Sequence, residues 1–158
     1  MKVLVFGYGN LGQSIIRFCK EQGYPSIFIS RRFHTPQFST SNFIDEYEAD
    51  IVINTVGGNI WDDFETLWRL NITDNETFLR MYSHRPYIAF STREALEPWS
   101  NPYAATKNAL ECLTRFYENL FIIRICTCFP NTGFDFSGVI TKKIFSMRLD
   151  DQIQNIAV

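Results

Sequence analysis

The sequence predicts a single α/β domain built as a doubly wound parallel sheet, and three observations carry that prediction. Short apolar runs alternate along the chain with segments of helical periodicity. The first run passes directly into a glycine-rich turn, Gly7-Tyr-Gly9-Asn-Leu-Gly12, that opens a helix. The chain has 158 residues, which suits one compact domain over its whole length.

Lys2–Phe6 reads as a buried strand. From Asn10 to Gln22, Leu11, Ile15, Phe18 and Cys19 recur at helical spacing, and Gly23 ends the helix. Ser26–Ser30 is a second strand. The polar stretch from Arg31 to Thr40 reads as a loop, and Ser41 is placed to cap a short helix reaching about Glu48. That interval is short for a full strand–helix pair. Ala49–Val56 is a further buried strand, closed by Gly57-Gly58. A long helix is expected over Asp62 to Tyr82, with Phe64, Leu67, Trp68, Phe78 and Leu79 as its apolar stripe. Tyr87–Ser91 is a strand. Asn101 caps the next helix, with Pro102 at its first position and Leu110, Leu113, Phe116, Tyr117 and Leu120 on its apolar side. Phe121–Phe129 is a strand, Val139–Arg148 a helix and Ile153–Val158 a last strand. Alternation of this kind calls for a parallel sheet covered on both faces, with right-handed crossovers.

Composition narrows the functional classes. Apolar residues make up 46% and aromatic residues 16%, so a substantial core is expected rather than a disordered chain. The formal net charge of −2 argues against a general electrostatic grip on nucleic acid. No apolar run approaches the roughly 20 residues of a membrane span. The start Met-Lys-Val-Leu-Val-Phe-Gly does not read as a secretion signal, and Cys19, Cys112, Cys126 and Cys128 fit no metal-binding spacing. A cytoplasmic protein with reduced cysteines and no metal is the expectation. On that reading Asn71-Ile-Thr and Asn75-Glu-Thr are accidental matches to the glycosylation pattern. His34 and His84 lack ligand spacing. Asp45, Glu46, Glu48 and Asp50 read as a solvated helix end, and Trp61, Trp68 and Trp99 as core or interface aromatics.

The glycine loop has the G-x-G-x-x-G spacing, and its place between the first strand and the first helix is the context that gives the spacing meaning. Gly7 permits the tight turn, Gly9 lets backbone approach a pyrophosphate, and Gly12 allows close packing of helix on strand. Tyr8, Asn10 and Leu11 lie within the same loop, and amides at the helix N-terminus face the phosphates. The ribose is read at the end of the second strand, where an acid would select a free 2′-hydroxyl and an arginine a 2′-phosphate. Ser30-Arg31-Arg32 stands there, which predicts NADP(H).

Tyr103 and Lys107 are four residues apart and share a helix face. A free phenol titrates at about pH 10, and a neighbouring ammonium is expected to lower that value and fit the pair for proton transfer to a carbonyl. Ser91 ends the preceding strand, where its hydroxyl could hold a substrate oxygen.

With these residues in view, the chain resembles the short-chain dehydrogenase/reductases over nearly its whole length. The phrase Asn101-Pro-Tyr-Ala-Ala-Thr-Lys107 is most similar to the extended branch that acts on nucleotide sugars, and the compact spacing to the dTDP-4-dehydrorhamnose reductases within it. The resemblance implies a Rossmann fold with an NADP(H) site. Thr55, Val56 and Gly57 would line the cofactor, Asn71 would match the family's mid-helix asparagine, and Ile122–Pro130 would resemble the strand and turn at the nicotinamide end. Tyr103 would be the proton donor, Lys107 its tuner and Ser91 the substrate anchor. Pro130 stands where relatives often have glycine, and Arg93-Glu94 matches no substrate signature of the branch. Extended members continue into a region that binds the nucleotide sugar, and most of that region is expected to be missing here.

The leading expectation is therefore an NADP(H)-dependent oxidoreductase or epimerase for a nucleotide-linked sugar. The alternatives are a reduced NADP(H)-binding regulatory or sensor module, or a small carbonyl reductase. The aromatic-rich helices over 62–82 and 102–120 are expected to pair two subunits into a homodimer.

Overall fold

The structure is a computed structural model that describes residues 1–30 and 49–125. Five strands form one sheet: β1 (Val3–Phe6), β2 (Ser26–Ile29), β3 (Ile51–Asn54), β4 (Tyr87–Thr92) and β5 (Leu120–Ile125). Their order is β2-β1-β3-β4-β5, and every neighbouring pair is parallel. The chain leaves β1 for β2 on one side and returns past β1 to β3 on the other. The crevice outside the carboxyl ends of β1 and β3 is thus a topological switch point, where open parallel sheets bind ligands.

The strands form where they do because their runs are apolar on both faces, as a doubly covered parallel sheet requires. Val3, Val5, Ile51, Ile53, Ile88 and Phe90 face one layer, against Ile15 and Cys19 of helix α1 (Asn10–Glu21). Leu4, Phe6, Val52, Tyr87 and Ala89 face the other, against Leu79 and Leu110. Phe6 stacks on Phe78 with ring centroids 4.0 Å apart.

Three expectations change in detail. The helix expected over Asp62–Tyr82 is three pieces: α2 (Phe64–Trp68), a π-helical turn (Arg69–Thr73) and α3 (Asp74–Met81). Asp63 caps the first piece by accepting the Thr66 amide at 2.8 Å. Of its expected stripe Leu67 and Leu79 are buried, whereas Phe64 and Trp68 stand 55% and 45% exposed. The next helix, α4 (Pro102–Cys112), has Asn101 as its cap and Pro102 at N1 as expected, but it ends eight residues before Leu120. A 3₁₀ turn at Leu113–Arg115 follows, Phe116 is 77% exposed, and Leu120 opens β5 instead. Trp61 and Trp99 are 89% and 81% exposed, so neither belongs to the core.

Residues 31–48 and 126–158 lie outside the description. The expected loop and helix before Glu48, the elements after residue 138, and Arg31, Arg32, His34, Cys126, Cys128 and Pro130 fall there. Among the described residues no helix is long and apolar enough to cross a membrane, and no cluster of metal-ligating side chains occurs.

Candidate active site

A cleft of about 550 Å³ opens at the switch point. One wall is the N-terminus of α1, from Gly9 to Gly12; the opposite wall is the turn after β3, from Thr55 to Ile60. The inner end is closed by Phe90, Ser91, Thr92, Glu94, Tyr103, Lys107 and Ile125.

The glycine loop is shaped by backbone proximity. Gly7 has φ of +94°, which only glycine adopts readily, and its amide donates to the Ile29 carbonyl at 2.8 Å. A Cβ on Gly12 would collide with the Gly7 carbonyl, so the helix packs against its own entry turn only without a side chain there. A Cβ on Gly9 would meet nothing within 4 Å, which leaves the α1 N-terminus open to the cleft. Gly9 supplies no side-chain cap, so the first amides of α1 remain available to an anion. Thr55 ties the two walls together, its hydroxyl donating to the Phe6 carbonyl at 2.8 Å.

At the inner end Lys107 is nearly buried and donates to the Phe90 carbonyl at 2.9 Å. Among the described residues no carboxylate pairs with it, and burial pulls its ammonium down to about 8. Its Nζ lies 5.9 Å from the centre of the Tyr103 ring. The Tyr103 phenol is pushed up, first by burial and second by the negative charge of Glu94. The lowering expected from Lys107 does not occur: burial of the phenol dominates, and the negative charge of Glu94 adds in the same direction. A raised phenol stays protonated at neutral pH, which suits a proton donor rather than a base.

Several expected site residues therefore meet: Gly9, Asn10, Leu11, Gly12, Thr55, Val56, Gly57, Ser91, Tyr103 and Lys107 all line the cleft. Four described ones do not line it. Gly7 shapes the turn from behind, Tyr8 stacks on Phe28 with centroids 4.3 Å apart, Ser30 lies beyond the cleft, and Asn71 is fully buried behind the wall. Asn71 accepts the Gly58 amide at 3.3 Å and donates to Thr106 Oγ1 at 3.0 Å, so it touches the site only through its scaffold.

Ser91 lines the cleft with its hydroxyl already engaged. It faces α4, beside Arg124, and its hydroxyl donates to Glu111 Oε1 at 2.6 Å. Arg124 holds the same carboxylate through Nε at 2.7 Å and through Nη2. The hydroxyl is thus engaged by a partly buried ion pair. Thr92, the next residue, lines the cleft and donates to Glu94. Sequence reasoning missed Thr92 and Glu94. Both hydroxyls of the Ser91-Thr92 pair line the cleft, and the carboxylate each one meets, Glu111 or Glu94, comes from tertiary packing rather than from the strand pattern.

No family model matches the sequence, and no curated protein matches it. Solved structures do. A dTDP-4-dehydrorhamnose reductase from Clostridium acetobutylicum superposes with a TM-score of 0.67 at 18% identity, covering 78% of this chain and 52% of its own. A dTDP-4-dehydrorhamnose reductase from Yersinia enterocolitica gives 0.66 at 19% identity, over 92% and 60%. The Bordetella bronchiseptica enzyme WbmH, in complex with NAD+, gives 0.65 at 16% identity, over 79% and 54%. These likenesses show that the chain shares the fold of these enzymes, a parallel sheet flanked by helices. The chain spans about half the length of the solved structures it matches.

Proposed function

We propose that the cleft holds a nicotinamide dinucleotide, NADP(H), and that the chain is an oxidoreductase or epimerase acting on a nucleotide-linked sugar with Tyr103 as proton donor. The observation that carries this reading is the convergence on one cleft of three sequence-distant elements: the glycine loop, the turn after β3, and the Tyr103–Lys107 face of α4.

The residues fit such a cofactor along its length. Gly9 leaves room for a diphosphate against the uncapped α1 amides, which favour negative charge. Thr55, Val56 and Gly57 form the facing wall. Lys107 supplies a buried cation at the inner end, where a ribose hydroxyl would accept from it. Arg31-Arg32, directly after the second strand, favours a 2′-phosphate.

When bound, the dinucleotide supplies hydride. Tyr103 holds its proton at neutral pH and donates it to the oxygen of the reduced carbonyl. Ser91 and Thr92 both line the inner end and are the hydroxyls placed to orient that oxygen, Ser91 held by Glu111 and Thr92 by Glu94. The sugar nucleotide as substrate rests on the Asn101–Lys107 phrase and on the reductases whose fold this chain shares.

The deciding experiment combines NADPH with a panel of nucleotide-linked 4-keto sugars and follows its oxidation. Tyr103→Phe removes one hydroxyl, so it should leave NADPH binding nearly intact and reduce turnover by roughly 10²–10⁴. Turnover indifferent to Tyr103→Phe would show that another group is the acid. Tight NADPH binding without turnover on any panel member would favour a regulatory module.

A further inference from the structure

The π-helical turn at Arg69–Thr73 interrupts a helix of otherwise ordinary composition, and such turns recur at functional sites. It displaces carbonyls from the regular ladder, and those carbonyls need other donors. Asn75 supplies them. Its Nδ2 donates to the carbonyls of both Leu70 and Asn71, each at 3.1 Å. Its Oδ1 accepts from Asn54 Nδ2 at 2.8 Å and from the Tyr87 hydroxyl at 3.0 Å. Asn54, Asn71, Asn75 and Tyr87 are all at most 1% exposed.

This buried network ends on the cleft at two places. Asn54 Oδ1 accepts the Val56 amide at 2.9 Å, fixing the start of the facing wall. Asn71 accepts the Gly58 amide and donates to Thr106, whose hydroxyl in turn donates to the Tyr103 carbonyl at 3.0 Å. The wall, the π-turn and the first turn of α4 therefore share one chain of hydrogen bonds, with Asn75 at its centre. An apolar residue at position 75 would leave Asn54, Tyr87 and the Leu70 carbonyl without this partner in a dry interior.

We propose that Asn75 is a positioning residue of the candidate site: it fixes Asn54 and the π-turn so that Asn54 at Val56, and Asn71 at Gly58 and, through Thr106, at the Tyr103 turn, keep the two walls at their working separation. The cofactor consequence rests on the dinucleotide reading above, whereas the structural consequence does not.

The test uses Asn75→Ala and Asn75→Asp, the second keeping the bonds from Asn54 and Tyr87 but losing those donated to Leu70 and Asn71. Tyr87→Phe is the control, since it removes one hydrogen bond from the same Oδ1 and leaves the π-turn tied. In the protein without ligand, amide hydrogen exchange at Gly58 should accelerate at least about tenfold in an Asn75 variant that folds, relative to the Thr55 amide on the Phe6 carbonyl. Tyr87→Phe should leave that ratio unchanged even where it lowers Tm. With ligand, NADPH affinity should fall about tenfold while that of ADP, which lacks the nicotinamide riboside, changes little. Unchanged Gly58 exchange overturns the proposal, as does an equal loss for ADP and NADPH or the same pattern in Tyr87→Phe. Wild-type protein that binds no NADPH would refute the dinucleotide reading, and Gly58 exchange would still decide the role of Asn75.

Discussion

Lys107→Met isolates what the buried cation does to stability. Lys107 is 6% exposed, donates to the Phe90 carbonyl and has no carboxylate partner among the described residues. Burial lowers its pKa from 10.5 to about 8. That difference corresponds to about 3 kcal/mol of destabilisation of the folded, charged form, fully present at neutral pH. Above the folded value the native lysine is neutral while the unfolded one still carries its proton, so the unfolded state binds more protons and stability rises with pH. The wild-type protein should therefore gain about 2 kcal/mol relative to Lys107→Met between about pH 8 and about pH 10. Methionine is close in volume and apolar, so packing is largely kept, although the Phe90 carbonyl loses its donor. Urea denaturation of both proteins across that range, read as the difference in unfolding free energy, measures the effect and cancels every titration they share. Stability curves that stay parallel would refute the buried, unpaired lysine. A methionine variant that is both more stable at neutral pH and unable to support turnover would show stability sacrificed for a site.

Gly12→Ala should disrupt the approach of α1 to its entry turn, costing about 1–3 kcal/mol and abolishing dinucleotide binding, as thermal melting and cofactor titration would show. NADPH should bind about ten- to a hundredfold more tightly than NADH through charge-assisted contacts of Arg31 and Arg32. Equal affinities, or no change in the Arg31→Ala/Arg32→Ala variant, would remove that reading. Exposed Phe64 and Trp68 on α2 and Phe116 just past the 3₁₀ turn that follows α4 favour a homodimer, so sedimentation at micromolar concentration should give about twice the monomer mass. A strict monomer that keeps these rings exposed would rule the dimer out.

The alternation of apolar runs and helical periodicity marked the five described strands and the parallel class, because buried parallel strands must be apolar on both faces and helices must bury one. Local chemistry was equally legible: Asn101 and Pro102 start α4, and the glycine spacing marks the turn before α1, since capping and tight turns depend on a few adjacent residues. Tyr103 and Lys107 on one helix face followed from the 3.6-residue period alone. Only the tertiary structure decided the rest. The turn at Arg69–Thr73 is tied by Asn75, which donates to the Leu70 and Asn71 carbonyls and is itself held by Asn54, 21 residues away, and by Tyr87, 12 residues away. Ser91 turns to Glu111 because β4 lies beside β5 and places it next to Arg124, a pairing that no local pattern contains. The Tyr103 phenol is raised rather than lowered because its environment is set by burial and by Glu94, which also lines the inner end of the cleft. Sequence periodicity reports which face of an element is apolar; the partners that a polar side chain meets are chosen by the packing of elements distant in the chain.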